Sequence, residues 1–235
     1  VKKYKTILCI SDLHFPYSHK DSLKFLAAIK KKYRPDKVVC LGDELDYHAM
    51  SFHDSDPDLD SAGKELQKGL AHMQGLFSLF PECDVLESNH GSMSYRKAKH
   101  HGMPRHLLKS YKEVLDAPKE WNWHPSLTLK MSNGNKVTFA HGRRKNVIAE
   151  AQCRGHSFVQ GHHHSQADVR FYSIKNKVHF GMTVGCSIDN NSYAYAYNKN
   201  FTVEPIISHG IIIDGVARIL PMPLTSSGRW NGKTP

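Results

Sequence analysis

Residues able to bind a metal ion or move a proton stand in five short segments of this chain. They are Asp12-Leu13-His14, Gly42-Asp43 with Asp46 three places on, Asn89-His90-Gly91, His141-Gly142 and Gly161-His162-His163-His164. In Asp12-x-His14 and His162-x-His164 the two-residue spacing puts each pair on one face of an extended chain, with Leu13 and His163 turned the other way. Such pairs offer oxygen and nitrogen donors to one cation. Carboxylate, amide and imidazole are present and thiolate is not, which suits manganese, iron, zinc, cobalt or nickel, with manganese favoured and magnesium also compatible.

Each segment begins where a strand-like run stops. Residues 6–10, 37–41 and 84–87 read as buried parallel strands, separated by helical stretches over 19–33 and 62–80. The second helix shows Leu66, Leu70, Met73, Phe77 and Phe80 at helical spacing, and Pro35 stops the first. This alternation predicts a parallel sheet with right-handed crossovers and a ligand site beyond the strands' carboxyl ends. A helix is expected over 105–115, and the chain then becomes β-rich. Residues 127–131 and 136–140 form a hairpin turned by Asn133-Gly134-Asn135, and a short helix spans 146–153. Further strands are expected at 158–160, 167–174, 177–184, 207–214 and 216–220, the last two joined by Asp214-Gly215. The expected fold class is therefore α/β, with two packed mixed β-sheets flanked by helices. A single domain covers residues 1–220, and 221–235 form an irregular C-terminal tail.

Composition bounds the rest. The chain has 235 residues, 40% of them hydrophobic, enough for a core and too many for disorder. Lys and Arg number 32 against 22 Asp and Glu, so the formal charge is +10 and an anionic partner is expected. The five cysteines contain no C-x-x-C pair, which argues against a disulfide framework or thiolate zinc site and for a cytoplasmic setting. No apolar run approaches the roughly 18 residues of a membrane span, so no membrane partner is expected. The oligomeric state is left open.

The ordered set of motifs resembles the calcineurin-like metallophosphoesterase family, whose pattern is D-x-H, G-D-x-x-D, G-N-H-D/E, H and G-H-x-H. The resemblance runs from Asp12 to His164. It implies the α/β/β/α sandwich of that family and two divalent metal ions about 3.5–4 Å apart. Asp12, His14 and His164 would hold one ion, Asn89, His141 and His162 the other, and Asp43 would bridge both. It further implies hydrolysis of a phosphate ester by in-line attack of a metal-bridging hydroxide. His90 would stand at the leaving oxygen, oriented by Asp46. Three positions depart from the family: Gly91 replaces an acidic residue, Tyr47 an arginine and Ser88 a glycine. None of them is a ligand.

Basic residues follow two motifs closely. Arg96, Lys97, Lys99, His100 and His101 come after Asn89-His90, and Arg143, Arg144 and Lys145 after His141. If the motif loops share one face, Arg96, Arg143 and Arg144 line the rim and bind substrate phosphate; the alternative is a solvated charge run. Lys30, Lys31, Lys32 and Arg34 are assigned to the C-terminus of the first helix. His19, His48, His53, His72, His124, His179 and His209 read as structural or solvated, and His163 as structural or substrate-facing. Tyr193, Tyr195 and Tyr197 would share one face of a strand, for packing rather than base stacking. The acidic loop Asp54 to Asp60 reads as a solvated loop or lid.

The expected substrate is a nucleotide or nucleic-acid phosphate, leaning to a small phosphomonoester such as a nucleoside monophosphate. A phosphodiesterase or nuclease acting on DNA, RNA or cyclic nucleotides is the alternative. A non-catalytic nucleic-acid-binding or interaction module of the same fold would be marked by lost ligands, and none is lost.

Overall fold

The protein is described from a computed structural model, over residues 2–52, 58–142, 144–192 and 204–235. Its first half contains β1 (Lys3–Tyr4), β2 (Thr6–Ile10), α1 (Ser22–Tyr33), β3 (Lys37–Cys40), α2 (Ala62–Leu79), β4 (Cys83–Leu86), α3 (Met93–His100), α4 (Tyr111–Val114) and β5 (Trp121–His124). Its second half contains β6 (Leu127–Met131), β7 (Lys136–Ala140), α5 (Val147–Arg154), β8 (Ser157–Gln160), β9 (Ala167–Ile174), β10 (Lys177–Val184), β11 (Ser208–Ile213) and β12 (Val216–Pro221). One six-stranded sheet has the order β12-β11-β2-β3-β4-β5 and the other β1-β6-β7-β8-β10-β9. In the first, β2 to β5 run parallel, and the β11–β12 hairpin is added antiparallel to β2.

The layering follows from alternation along the strands. In β2, Leu8 and Ile10 share a core with Phe25, Leu26 and Ile29 of α1 and with Met73, Leu76 and Phe77 of α2. Ile7 and Cys9 face the opposite way and share a core with Val137, Phe139, Val159, Phe180 and Met182 of the other sheet. Burial on both faces is why this strand is an unbroken apolar run. Val147, Ala151 and Phe158 form a third cluster that seats α5 on the outer face of the second sheet. Two packed mixed sheets flanked by helices result, as the sequence predicts.

The chain differs from expectation in particular places. In place of a helix over 105–115 there is a 3-10 turn at Arg105–Leu107, an extended Leu108, and then α4. Helix geometry restarts there because Ser110 and Glu113 form a capping box that satisfies the new N-terminus. The unexpected α3 is mostly polar and buries only Met93 and Ala98, so its periodic signal is thin. The Lys30 ammonium leaves its own helix end and donates to the Leu79 carbonyl, 2.6 Å away at the end of α2. Lys32 donates to the Thr234 and Pro235 carbonyls at 2.8 and 2.6 Å. These lysines are tertiary ties as well as partners of the α1 dipole. The tail also returns to α1 through Arg229, whose guanidinium meets Asp21 at 2.7 and 2.6 Å.

All five cysteines are free. Among the described residues no helix is long and apolar enough to cross a membrane.

Candidate metal centre

The motif loops leave neighbouring strand ends and stay paired beyond them. The backbone N–H groups of Asp12, His14 and Phe15 donate to the carbonyls of Gly42, Asp43 and Glu44 at 3.2, 2.9 and 2.9 Å. The Gly161 N–H donates to the His141 carbonyl at 2.9 Å. The side chains, however, do not converge by strand parity. Asp12, His14, Asp43 and His162 have φ of 46, 49, 54 and 65°. Each lies in the left-handed region, so the extended geometry expected for Asp12-x-His14 and His162-x-His164 is replaced by a backbone that turns as it leaves the strand. Asp and His are among the residues that tolerate this region best.

The turns gather three overlapping groups of donors. Asp12, His14, Asp43 and His164 form the first, Asp43, His141 and His162 the second, and His14, Asp46 and His90 a third, the donor atoms of each lying within 4.8 Å of one another. The first two share Asp43. In the first, His164 Nε2 is 3.2 Å from both Asp12 Oδ1 and His14 Nε2. In the second, His141 Nε2 is 2.7 Å from Asn89 Oδ1 and 3.2 Å from both His162 Nδ1 and Asp43 Oδ2. The buried Oδ2 of Asp43 has no hydrogen bond, yet it stands 3.2 Å from His141 Nε2 and 3.7 Å from His14 Nε2. A buried carboxylate oxygen in that position fits a cation better than it fits an apolar interior. Orientation of the rings agrees: Nδ1 of His141 is taken by the Leu41 carbonyl at 2.8 Å, which leaves Nε2 to face the group.

The electrostatics are set by carboxylates and imidazoles packed against one another. Burial alone would lower His14, but the nearby Asp12 carboxylate and the hydrogen bond to Asp46 outweigh it and raise the ring to about 10. Burial likewise lowers His141, and the negative charge of Asp43, 3.2 Å away, outweighs it and raises the ring to about 9. Burial would raise Asp12, yet the surrounding rings hold it well below the carboxylate range. Asp43 behaves the same way, with His141 and His90 outweighing burial.

Around these donors stands a layer that residue types alone did not reveal. Asp46 was expected to orient His90 with its carboxylate. That carboxylate instead accepts from His14 Nδ1 at 2.6 Å, and it is the Asp46 backbone carbonyl that accepts from His90 Nδ1. The His90 N–H in turn donates to Asp43 Oδ1 at 3.0 Å. Ser88, one of the departures from the family pattern, accepts from the N–H groups of Asp43 at 3.0 Å and Gly91 at 3.1 Å, and so clamps two loops together. Gly91, another departure, lies against Tyr111: a Cβ there would stand 3.1 Å from the Tyr111 ring. Tyr47, the third, is buried with its ring 6.2 Å from that of Tyr111. At Gly161 a Cβ would meet Asp12 Oδ2 at 2.3 Å, so only glycine lets the two loops approach.

Cavities open on two sides of the donors. One of about 1110 Å³ is lined by Asn89, His141 and His162 and by Arg96, Arg144 and Arg154. A smaller one of about 290 Å³ is lined by Asp46, His48, Phe52, Asn89, His90, Arg96 and His162. Arg96 therefore stands in both, and Arg144 in the larger. Arg143, Tyr193, Tyr195, Tyr197 and residues 53–57 of the acidic loop lie outside the described residues. Arg154 and Phe52 carried no sequence signal, since neither belongs to a motif and their place on a cavity wall depends on α5 and on the loop after β3. His163 is in none of the three donor groups.

The family model for calcineurin-like phosphoesterases matches residues 5–205. Among solved structures, Vacuolar Protein Sorting 29 from Cryptosporidium parvum aligns with a TM-score of 0.51 at 14% identity, covering 100% of this chain and 96% of that one. Vps29 from Chaetomium thermophilum aligns with a TM-score of 0.51 at 11% identity, covering 98% and 94%. These likenesses show the fold. No curated protein matches the chain in sequence. With its family model matched over most of its length, the chain belongs to the calcineurin-like phosphoesterase family.

Proposed function

We propose that the protein is a metal-dependent phosphoesterase acting on a nucleotide or nucleic-acid phosphate. The observation that carries this reading is the buried Asp43 Oδ2, which makes no hydrogen bond and stands between the ring nitrogens of His14 and His141. Asp12, His14 and His164 would hold one divalent cation and Asn89, His141 and His162 a second, with Asp43 shared. Manganese is our first choice for both. Bound there, such ions supply a nucleophile from water near neutral pH and neutralise charge on the phosphate oxygens.

The chain's own residues do the remaining work. Asp46 and the Leu41 carbonyl fix the His14 and His141 rings so that each presents Nε2. His90 has its Nδ1 engaged by the Asp46 carbonyl, so Nε2 is the position left for the leaving oxygen. Burial lowers its pKa, against the opposing charges of Asp43 and Asp46. The negative charge of a bound phosphate would raise it again and bring the second proton that the leaving oxygen takes. Arg96 and Arg144 would hold oxygens of the substrate phosphate.

A small monoester such as a nucleoside monophosphate is the first reading. The diester reading is favoured by one observation: cavities meet the donors on two sides, room for a substituent on either side of phosphorus. The deciding experiment strips the protein of metal, resupplies manganese or another divalent ion, and compares an aryl monoester, an aryl diester, nucleoside monophosphates and single-stranded DNA. Two bound ions per chain and hydrolysis lost in Asp43→Asn and His90→Ala are expected. No hydrolysis of any ester under any divalent ion would sink the proposal and leave a binding module of the same fold.

A further inference from the structure

Among the described residues that line the cavity onto which His90 opens, Phe52 is the one with a carbocyclic ring, and it is 47% exposed. Single exposed apolar side chains are ordinary, so exposure alone carries nothing. Its surroundings are more particular. The Arg96 guanidinium lies 5.2 Å and the Lys97 ammonium 4.3 Å from the ring centroid, and the His100 ring packs edge-on at 5.9 Å. Three side chains of α3 thus brace the ring and leave part of it open. In-line displacement sends the leaving group away from the attacking water and towards the residue that protonates it. On the phosphoesterase reading above, that direction is the cavity shared by His90 and Phe52.

We infer that Phe52 is the stacking platform for a planar leaving group, a nucleoside carrying its base, and that it sets the preference for nucleotides over esters of non-aromatic alcohols. A volume of about 290 Å³ is close to the small end of ligand sites, which start at roughly 300 Å³, and is of nucleoside size. The base lies against the open part of the ring and Arg96 and Lys97 against the rest, an arrangement tolerant of base identity because every base has a π-face. In the reaction water adds to phosphorus, the ester P–O bond breaks, and the nucleoside oxygen leaves with the proton from His90 Nε2, which solvent then restores.

The test compares metal-loaded wild type, Phe52→Ala and Phe52→Trp on a nucleoside monophosphate and on glycerol phosphate. Phe171→Ala, at an exposed ring on β9, serves as the control. Stacking of one base is worth about tenfold or more in affinity. The ratio of kcat/KM for nucleotide over glycerol phosphate should therefore fall about tenfold in Phe52→Ala, mostly through KM. It should be kept in Phe52→Trp and in the control. An equal loss on both esters, no change in the ratio, or a tryptophan variant that behaves like alanine would overturn the inference. Binding of free adenosine and uridine, followed by NMR, gives a readout without turnover. Affinity about tenfold weaker in Phe52→Ala supports the platform even if no ester is hydrolysed, and equal affinities refute it. Absence of hydrolysis by wild type counts against the phosphoesterase reading alone.

Discussion

Asp12, His14, Asp43 and His162 each occupy a left-handed backbone conformation that costs a non-glycine residue about 1–2 kcal/mol. Such strain persists only where the surroundings over-determine it, and here each turn is held by hydrogen bonds between loops. Gly161 is the tightest of these positions. Gly161→Ala should force the Asp12 carboxylate aside, and calorimetry is expected to show divalent-ion affinity down at least tenfold while the circular dichroism spectrum is retained. Glu44, beside Asp43, offers a test of burial itself. Its carboxyl is raised to about 7, chiefly by desolvation, and its Oε1 has no hydrogen bond. A carboxyl raised in the folded state contributes stability that is present below its ordinary value and lost as pH rises through the folded one. Urea denaturation of metal-free protein should therefore show stability falling between about pH 4.5 and 7 in wild type. Glu44→Gln should be flatter over that window, and parallel curves would contradict the assignment.

At the scale of elements, the centre is built by loops that follow β2, β3, β4, β7 and β8, and its precision depends on how these loops hold one another. Ser88 is the clearest tie, joining the loop after β3 to the loop after β4 through two backbone N–H groups. Ser88→Ala leaves both donors without their acceptor, at a cost of about 1–3 kcal/mol in unfolding free energy, read as a lower denaturation midpoint. Divalent-ion affinity should fall with it, because Asp43 loses the bond that fixes its backbone. A midpoint within error of wild type would show that the clamp is dispensable. In the helix layer, Lys30 joins α1 to the end of α2, and Asp21, at the N-cap of α1, joins it to the tail. The helix layer is thus held by charge at both ends of α1 as well as by its apolar face.

For the whole molecule, the two sheets bring the chemistry together: residues at the ends of β2, β3 and β4 come from one sheet and those at the ends of β7 and β8 from the other. Neither sheet alone has a complete donor set. Metal binding should consequently stabilise the packing of one sheet on the other, with Tm raised by manganese and returned to the metal-free value by a chelator. The same binding should release protons, since His14 and His141 are raised to about 10 and about 9 without metal. The protons' contribution to folding is complete below about pH 6.5 and lost as pH rises through those values, so metal affinity should increase over the same window. Titration calorimetry in buffers of different ionisation enthalpy would detect this, and no dependence on buffer or pH would refute it.

Much of this was legible in the residues. Unbroken apolar runs such as Thr6–Ile10 mark strands buried on both faces, so the sandwich followed from the order of strand and helix signals, an α/β half and then a β-rich half. The order of Asp12, His14, Asp43, Asn89, His141, His162 and His164 indicated which chemistry to expect, because donor type and order are properties of side chains. The short polar α3 and the break before Ser110 were not legible, since neither carries a strong period. What only the tertiary structure decided is how the donors meet. Left-handed turns aim them, where strand parity had been expected to. The Asp46 carboxylate reaches His14, the Leu41 carbonyl holds a ring one hundred residues along the chain, and Phe52 stands beside His90. These contacts involve backbone groups that every residue has, or partners brought together by packing of distant elements. Residue type and spacing therefore leave no mark of them.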